Sequence, residues 1–293
     1  MAEEELTPTQ KLQLAKNFVV NSPPAQTSHV LEDLKVLIGE DVLTEKKRLG
    51  FTAQVNKEQF AAAVKLGDGK RVLLTPHGEL PDGLFLDPST QSAIVVDHVM
   101  LTAEASDKPV DPAQLASMRE GTTSAMRAAV DEAMQKYVSS HLPDGVVTTY
   151  GTAVAGSRIV CCIAALTHNL ENYWAGRWKA EWTLEVPSGG SIGTLTGTVS
   201  CHVHYFEDGN VQLDDKVVFQ SEIEVKDVGA SFAAKVKELD LQFYAKLEEI
   251  YGGLSDEVLK NLRRRLPITG QKFDWDKLAV AGLAKEVASL KAS

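Results

Sequence analysis

From Thr7 to Arg48 apolar residues recur at mixed spacings of three and four, the signature of helix faces turned toward a common core. Leu12, Leu14, Ala15, Phe18 and Val19 follow Thr7-Pro8 and stop at Asn21-Ser22-Pro23-Pro24, so a short amphipathic helix is expected between two proline signals. Ser28 is the expected cap of a second helix, with Val30, Leu31, Leu34, Val36, Leu37 and Ile38 as its apolar positions and Gly39 as its stop. Asp41 to Arg48 continue as a third, and short links make the helices antiparallel neighbours. At Gly67 the pattern changes. Arg71 to Thr75, Leu84 to Leu86 and Ala93 to Met100 are short β-rich runs punctuated by proline and glycine, which predicts a small β-rich connector. Ala103 to Pro112 reads as a loop, and Ala113 to His141 as mostly helix ending before Pro143.

Five β segments follow: Val146 to Ala153, Arg158 to Thr167, Trp174 to Val186, Ile192 to Glu207 and Val211 to Val225. Glycines in Ala155-Gly156-Ser157, Pro187-Ser188-Gly189-Gly190 and Asp208-Gly209-Asn210 supply tight turns, so consecutive strands should pair antiparallel as a meander. Trp174, Trp178 and Trp182 stand four apart and therefore share one sheet face, as core or as a subunit interface. Arg177 and Lys179 alternate with them and should lie on the opposite face, an uncovered polar surface where solvent or a partner subunit satisfies them. Val228 to Tyr251 carries Phe232, Val236, Leu239, Phe243, Leu247 and Ile250 at helical spacing, a long helix expected to cover the meander. Leu278 to Leu290 repeats the pattern in a tail helix whose apolar face is Val280, Leu283, Val287 and Leu290. The fold class is α+β, in four parts: a helical bundle at 1–66, the connector at 67–112, the sheet with its helices at 113–253, and a basic segment with the tail at 254–293.

Composition narrows the function. With 44% apolar and 24% charged residues the 293-residue chain is ordinary globular material. No stretch approaches the roughly 20 apolar residues that span a bilayer, and the acidic start lacks the features of a signal peptide, so a cytoplasmic, non-transmembrane protein is expected. Cys161, Cys162 and Cys201 fit no disulfide or zinc spacing and read as reduced thiols. His202 and His204 share a strand face, and a third ligand would be needed to make them a metal site; sheet-face histidines are the plainer reading. His77 and His98, the latter beside Asp97, have no nucleophile in a catalytic setting near them. With no phosphate-binding glycine loop either, no enzyme activity, cofactor, metal or nucleic-acid partner is expected.

Charge supplies the strongest functional signal. The formal net charge is −10, yet from Lys260 to Lys277 the cations Lys260, Arg263, Arg264, Arg265, Lys272 and Lys277 meet only Asp274 and Asp276. Cations just before Pro267 would offset a helix dipole, but that accounts for two charges better than for five. An acidic body with one concentrated cationic end suits docking on an acidic partner. Lys260 and Arg264, one helical turn apart, share a face and are the expected direct contacts.

Within this segment L-R-R-R-L-P-I-T is followed by K-F-D-W. Upstream stand L-L-T-P-H-G-E-L with F-L-D-P and V-D-H at 73–98, N-Y-W-A-G-R-W-K-A-E-W at 172–182 and V-H-Y-F-E-D-G-N-V-Q-L at 203–213. In this order they resemble the F-actin capping protein alpha-subunit family. The resemblance implies an obligate heterodimer with a similarly folded beta subunit, the two five-stranded sheets joining into one under two long helices. It implies binding at the fast-growing, barbed end of actin filaments, where subunit exchange is blocked, and hence a place in the cytoskeleton. The family's actin contacts carry over to Lys260 and Arg264, with Arg263, Arg265 and Lys272 beside them; Gly270 stands where the family has a basic residue. The tail face would be an accessory contact. An actin-related filament, that of dynactin, is a second target the resemblance admits. The alternative is a phosphoinositide- or membrane-binding adaptor using the same cations with the amphipathic tail.

Overall fold

The computed structural model describes residues 6–22, 26–119, 121–153, 156–169, 171–205 and 211–253. The chain falls into two units, Met1–Asp240 and Leu241–Ser293. Three helices open the first: α1 (Pro8–Val20), α2 (Thr27–Ile38) and α3 (Glu45–Gln59). A capping box starts α1, where Thr7 Oγ1 accepts from the Gln10 amide at 3.3 Å and Gln10 Oε1 accepts from the Thr7 amide at 2.9 Å. Ala15, Val19, Leu31, Leu34, Leu43 and Val55 form the core of the three. Ser28 is not the cap of α2, which has already begun at Thr27 with Gln26 before it. Thr27 Oγ1 instead pairs with Ser22 Oγ at 2.7 Å across the link from α1. Val36 and Leu37 are 85% and 77% exposed. Six apolar positions in nine residues exceed what one helix face can bury at about 100° per residue, and Leu31 and Leu34 take the core side. The third helix starts at Glu45 rather than Asp41, since Gly39, at φ 85°, begins a turn closed by the Leu43 amide on the Gly39 carbonyl.

A small five-stranded sheet follows: β1 (Ala62–Lys65), β2 (Arg71–Leu73), β3 (Phe85–Asp87), β4 (Ser92–Asp97) and β5 (Thr102–Ala105), in the order β2-β1-β5-β4-β3. The expected loop from Ala103 is therefore in part a strand, parallel to β1 and antiparallel to β4. Four residues are too few for alternation to be visible in sequence. Asp87, 1% exposed, anchors this sheet. Burial pushes its carboxyl up, but donors from Lys65, Ser89 and Thr90 outweigh that and hold it well below the usual carboxylate range.

After α4 (Pro112–Arg119) and α5 (Gly121–His141) come the five long strands β6 (Val146–Ala153), β7 (Gly156–Asn169), β8 (Trp174–Pro187), β9 (Ile192–Tyr205) and β10 (Val211–Glu224). They lie in sequence order, each antiparallel to the next. One face of β6 and β7 packs under α5: a Cβ on Gly151 would stand 3.1 Å from that of Arg127, and Thr123 Oγ1 lies 2.8 Å from Ser157 Oγ. The opposite face packs on the small sheet, where Leu73, Leu80 and Leu86 meet Val146, Tyr150, Val160 and Cys162. Leu73 N donates to Thr148 Oγ1 at 3.1 Å, and Thr75 Oγ1 to Tyr150 Oη at 3.0 Å. Covered on both sides, β7 reads as the unbroken apolar run Ile159 to Ala165.

The last described element is α6 (Val228–Gly253). Its first half belongs to the first unit, with Phe232 and Val236 both 0% exposed. It closes on α5, since a Cβ on Gly229 would meet the Ala129 carbonyl oxygen at 2.6 Å, and Tyr137 Oη donates to Asp240 Oδ2 at 2.6 Å. In the second unit Phe243 and Leu247 are buried while Leu241 and Tyr244 are exposed. The basic segment and tail helix expected at 254–293 lie outside the described residues.

Candidate functional site

The expected contact residues Lys260, Arg263, Arg264, Arg265 and Lys272, and the tail positions Val280, Leu283, Val287 and Leu290, are likewise outside the described residues. The described chain shows the two faces of β8. Trp178 and Trp182 are 7% and 0% exposed, and Trp174 at the strand's end is half-buried. Across the sheet Trp182 is level with Gly197 on β9, which is level with Phe219 on β10. A Cβ on Gly197 would lie 1.9 Å from the Trp182 ring, so glycine alone lets the indole lie over β9 and reach Phe219, stacked at a centroid distance of 6.0 Å.

The other face of β8 is not the uncovered polar surface expected for Arg177 and Lys179. Lys179 Nζ donates to the Glu58 carbonyl at 2.8 Å and stands 4.9 Å from the centre of the Phe60 ring, so the end of α3 sits on it. Burial lowers the Lys179 pKa, and Arg177 lowers it further. Alternation along β8 places residues on a face, but no local pattern names a cover 121 residues away.

His77 and His98 do not form a pair. His77 Nε2 stands 3.2 Å from Glu181 Oε1, and that contact leads the causes holding the Glu181 carboxyl low. His98 meets Phe85 edge-on at 5.8 Å, its carbonyl accepts from Asn56 Nδ2 at 2.8 Å, and burial lowers its pKa. Asp97 caps a turn, accepting from the Val99 and Met100 amides at 2.9 Å each. Among the described residues His77, Glu181 and Cys162 are the group whose atoms, all within 4.8 Å of one another, could hold a metal ion. The chemistry fits a metal poorly, because burial pushes the Cys162 thiol well above its usual range and Glu181 already has His77. His202 and His204 are not part of that group. Among the described residues no helix is long and apolar enough to cross a membrane.

The family model described as F-actin capping protein alpha subunit matches residues 15–286. Curated relatives with the name F-actin-capping protein subunit alpha include one from Dictyostelium discoideum, 30% identical over 94% of this chain and 97% of its own, and one from Caenorhabditis elegans, 29% identical over 97% and 99%. The fold is shared with a solved structure of the homodimeric actin capping protein alpha subunit from Plasmodium berghei, at TM-score 0.70 and 18% identity over 90% of this chain and 100% of that one.

Proposed function

The chain belongs to the F-actin capping protein alpha-subunit family, and from that membership we propose that it pairs with a beta subunit to bind the barbed ends of actin filaments and block subunit exchange there. The observation that carries this reading is coverage: the match runs from the first helix through the basic segment and into the tail, so the regions that would pair and the regions that would touch actin are both family sequence. The long open sheet supports it, because a strand-edge partner has fourteen residues of β10 to add to. Contacts to actin are assigned to Lys260 and Arg264, backed by Arg263, Arg265 and Lys272, with the tail face of Val280, Leu283, Val287 and Leu290 as an accessory contact. Self-pairing in place of a beta subunit is the second reading, favoured by the description of the Plasmodium structure.

The test is barbed-end elongation with the complex of this chain and a beta subunit. Lys260→Ala with Arg264→Ala should slow association with filament ends roughly tenfold at low salt, since steering charges act on the encounter rate. The wild-type on-rate should fall as salt rises and the variant's should fall less steeply. Lys35→Ala, on α2, should behave like wild type. An unchanged on-rate in the double variant at low salt would move capping to other surfaces. Phosphoinositide binding draws on the same cations, and liposome co-sedimentation without actin separates it from capping.

A further inference from the structure

On the face of β8, β9 and β10 opposite the tryptophans, two neighbouring rungs carry the cations. Arg177, His202 and Asp214 are level across the three strands, and beside them Lys179, Ser200 and Lys216. Together they line a cavity of about 280 Å³, closed on one side by the end of α1. Three cations there stand against one carboxylate, in a chain whose formal net charge is −10.

These charges are poorly satisfied by the protein itself. Arg177 makes no hydrogen bond or ion pair among the described residues; only the field of Asp214 favours its charge, and burial works against it. Lys179 is held by a carbonyl and a ring, and Arg177 and Lys216 repel it while the field of Glu181, two residues along the strand, favours its charge. His202 Nε2 is buried with no hydrogen-bond partner. A half-buried guanidinium, a half-buried ammonium and an idle ring nitrogen facing one cavity are costly when empty, and with the exposed ammonium of Lys216 beside them they are complementary to a multivalent anion when filled.

We propose that this cavity is a binding site for a phosphate-bearing anion, gripped by Arg177, Lys179 and Lys216 with His202 completing the oxygen contacts. The planar fork of Arg177 suits phosphate oxygens, and the two lysines supply point charges on either side. Asp214 lies at the same rung and opposes an anion, which sets the balance at two positive charges and not three. The volume is near the lower end of small-molecule sites, about 300 Å³, so a pyrophosphate or a phosphorylated headgroup fits and a nucleic-acid strand does not. The site lies wholly in the first unit and uses none of the C-terminal cations.

Pyrophosphate titrated calorimetrically into the full chain, as purified with or without a partner subunit, should show one saturable site. Lys216→Gln, at an exposed position of β10, should weaken it about tenfold, and Arg177→Gln more, as expected for loss of a charged hydrogen bond. Lys136→Gln, exposed on α5, should leave it unchanged. If the natural source is a lipid headgroup, phosphoinositide vesicles will bind wild type and lose Lys216→Gln in parallel; if it is a free phosphate, vesicle binding will ignore that substitution. Absence of saturable pyrophosphate binding, or equal binding by wild type and Lys216→Gln, overturns the proposal. Should Arg177→Gln fail to fold, Lys216→Gln still decides.

Discussion

Asp240 is 2% exposed, and of its two carboxylate oxygens only Oδ2 has a partner, the Tyr137 hydroxyl, while Oδ1 is buried without one. Burial is the leading cause that raises its pKa to about 6, against the opposing pull of Tyr137. In the unfolded chain the same carboxyl ionises near about 4. Between those values the folded chain keeps a proton that the unfolded chain has lost, so this group makes stability fall as pH rises through that window and adds nothing further above it. Asp240→Asn removes the titration while keeping an oxygen for Tyr137. Urea unfolding at a series of pH values should show the variant gaining on wild type from about pH 4 to 6, by on the order of 3 kcal/mol at neutral pH. A pH-independent difference would mean that the folded carboxyl titrates normally. None of this was legible in the sequence, where Asp240 is one acid among many; the signal comes from α5 closing over it. Cys161 and Cys162 show the opposite case. Their spacing, which fits neither a disulfide framework nor a zinc site, marks them as reduced core thiols, and burial pushes Cys161 up to about 12.

Between elements, legibility follows length. The five long strands begin and end near where their turn glycines put them, whereas runs of three or four residues are too short to show a period. The short β1 and β5 went unread for that reason, and their pairing is set by tertiary contact. The tryptophan spacing identified a shared face, whereas the reason β9 tolerates a bulky ring above it needed the register: Gly197 is level with Trp182. From this comes a packing prediction. Gly197→Ala would place a methyl 1.9 Å from a fully buried indole pinned by Phe219, and the rigid ring must tilt or the strand must shift. Overpacking of this kind costs about 1–3 kcal/mol, and the near-ultraviolet circular dichroism of the tryptophans should change with it. Combined with Trp182→Phe, the alanine should cost less than the sum of the two single changes, since the smaller ring makes room. Strict additivity would show that the indole does not lie over Gly197.

At the scale of the whole molecule the long sheet is asymmetric. The β6 side is enclosed by α5 and the small sheet, while β10 ends the sheet with Val211 and Val218 55% and 70% exposed. Among the described residues this fourteen-residue strand pairs on one side only, and an edge strand with exposed valines invites other chains. The chain made alone should therefore be largely aggregated, and should become soluble when made with a beta subunit that adds to this edge. Sedimentation velocity on both preparations checks it. Val218→Lys tests the cause: a charge on an edge strand is a common guard against pairing, so this variant should raise the soluble fraction of the lone chain and weaken assembly with the beta subunit, leaving its helix content intact. A monodisperse, stable monomer of the wild-type chain at micromolar concentration would contradict obligate pairing, and a stable dimer of the lone chain would favour self-pairing. If Val218→Lys instead leaves both solubility and assembly untouched, the β10 edge is not where a second subunit adds, and the pairing surface must be sought elsewhere on the chain.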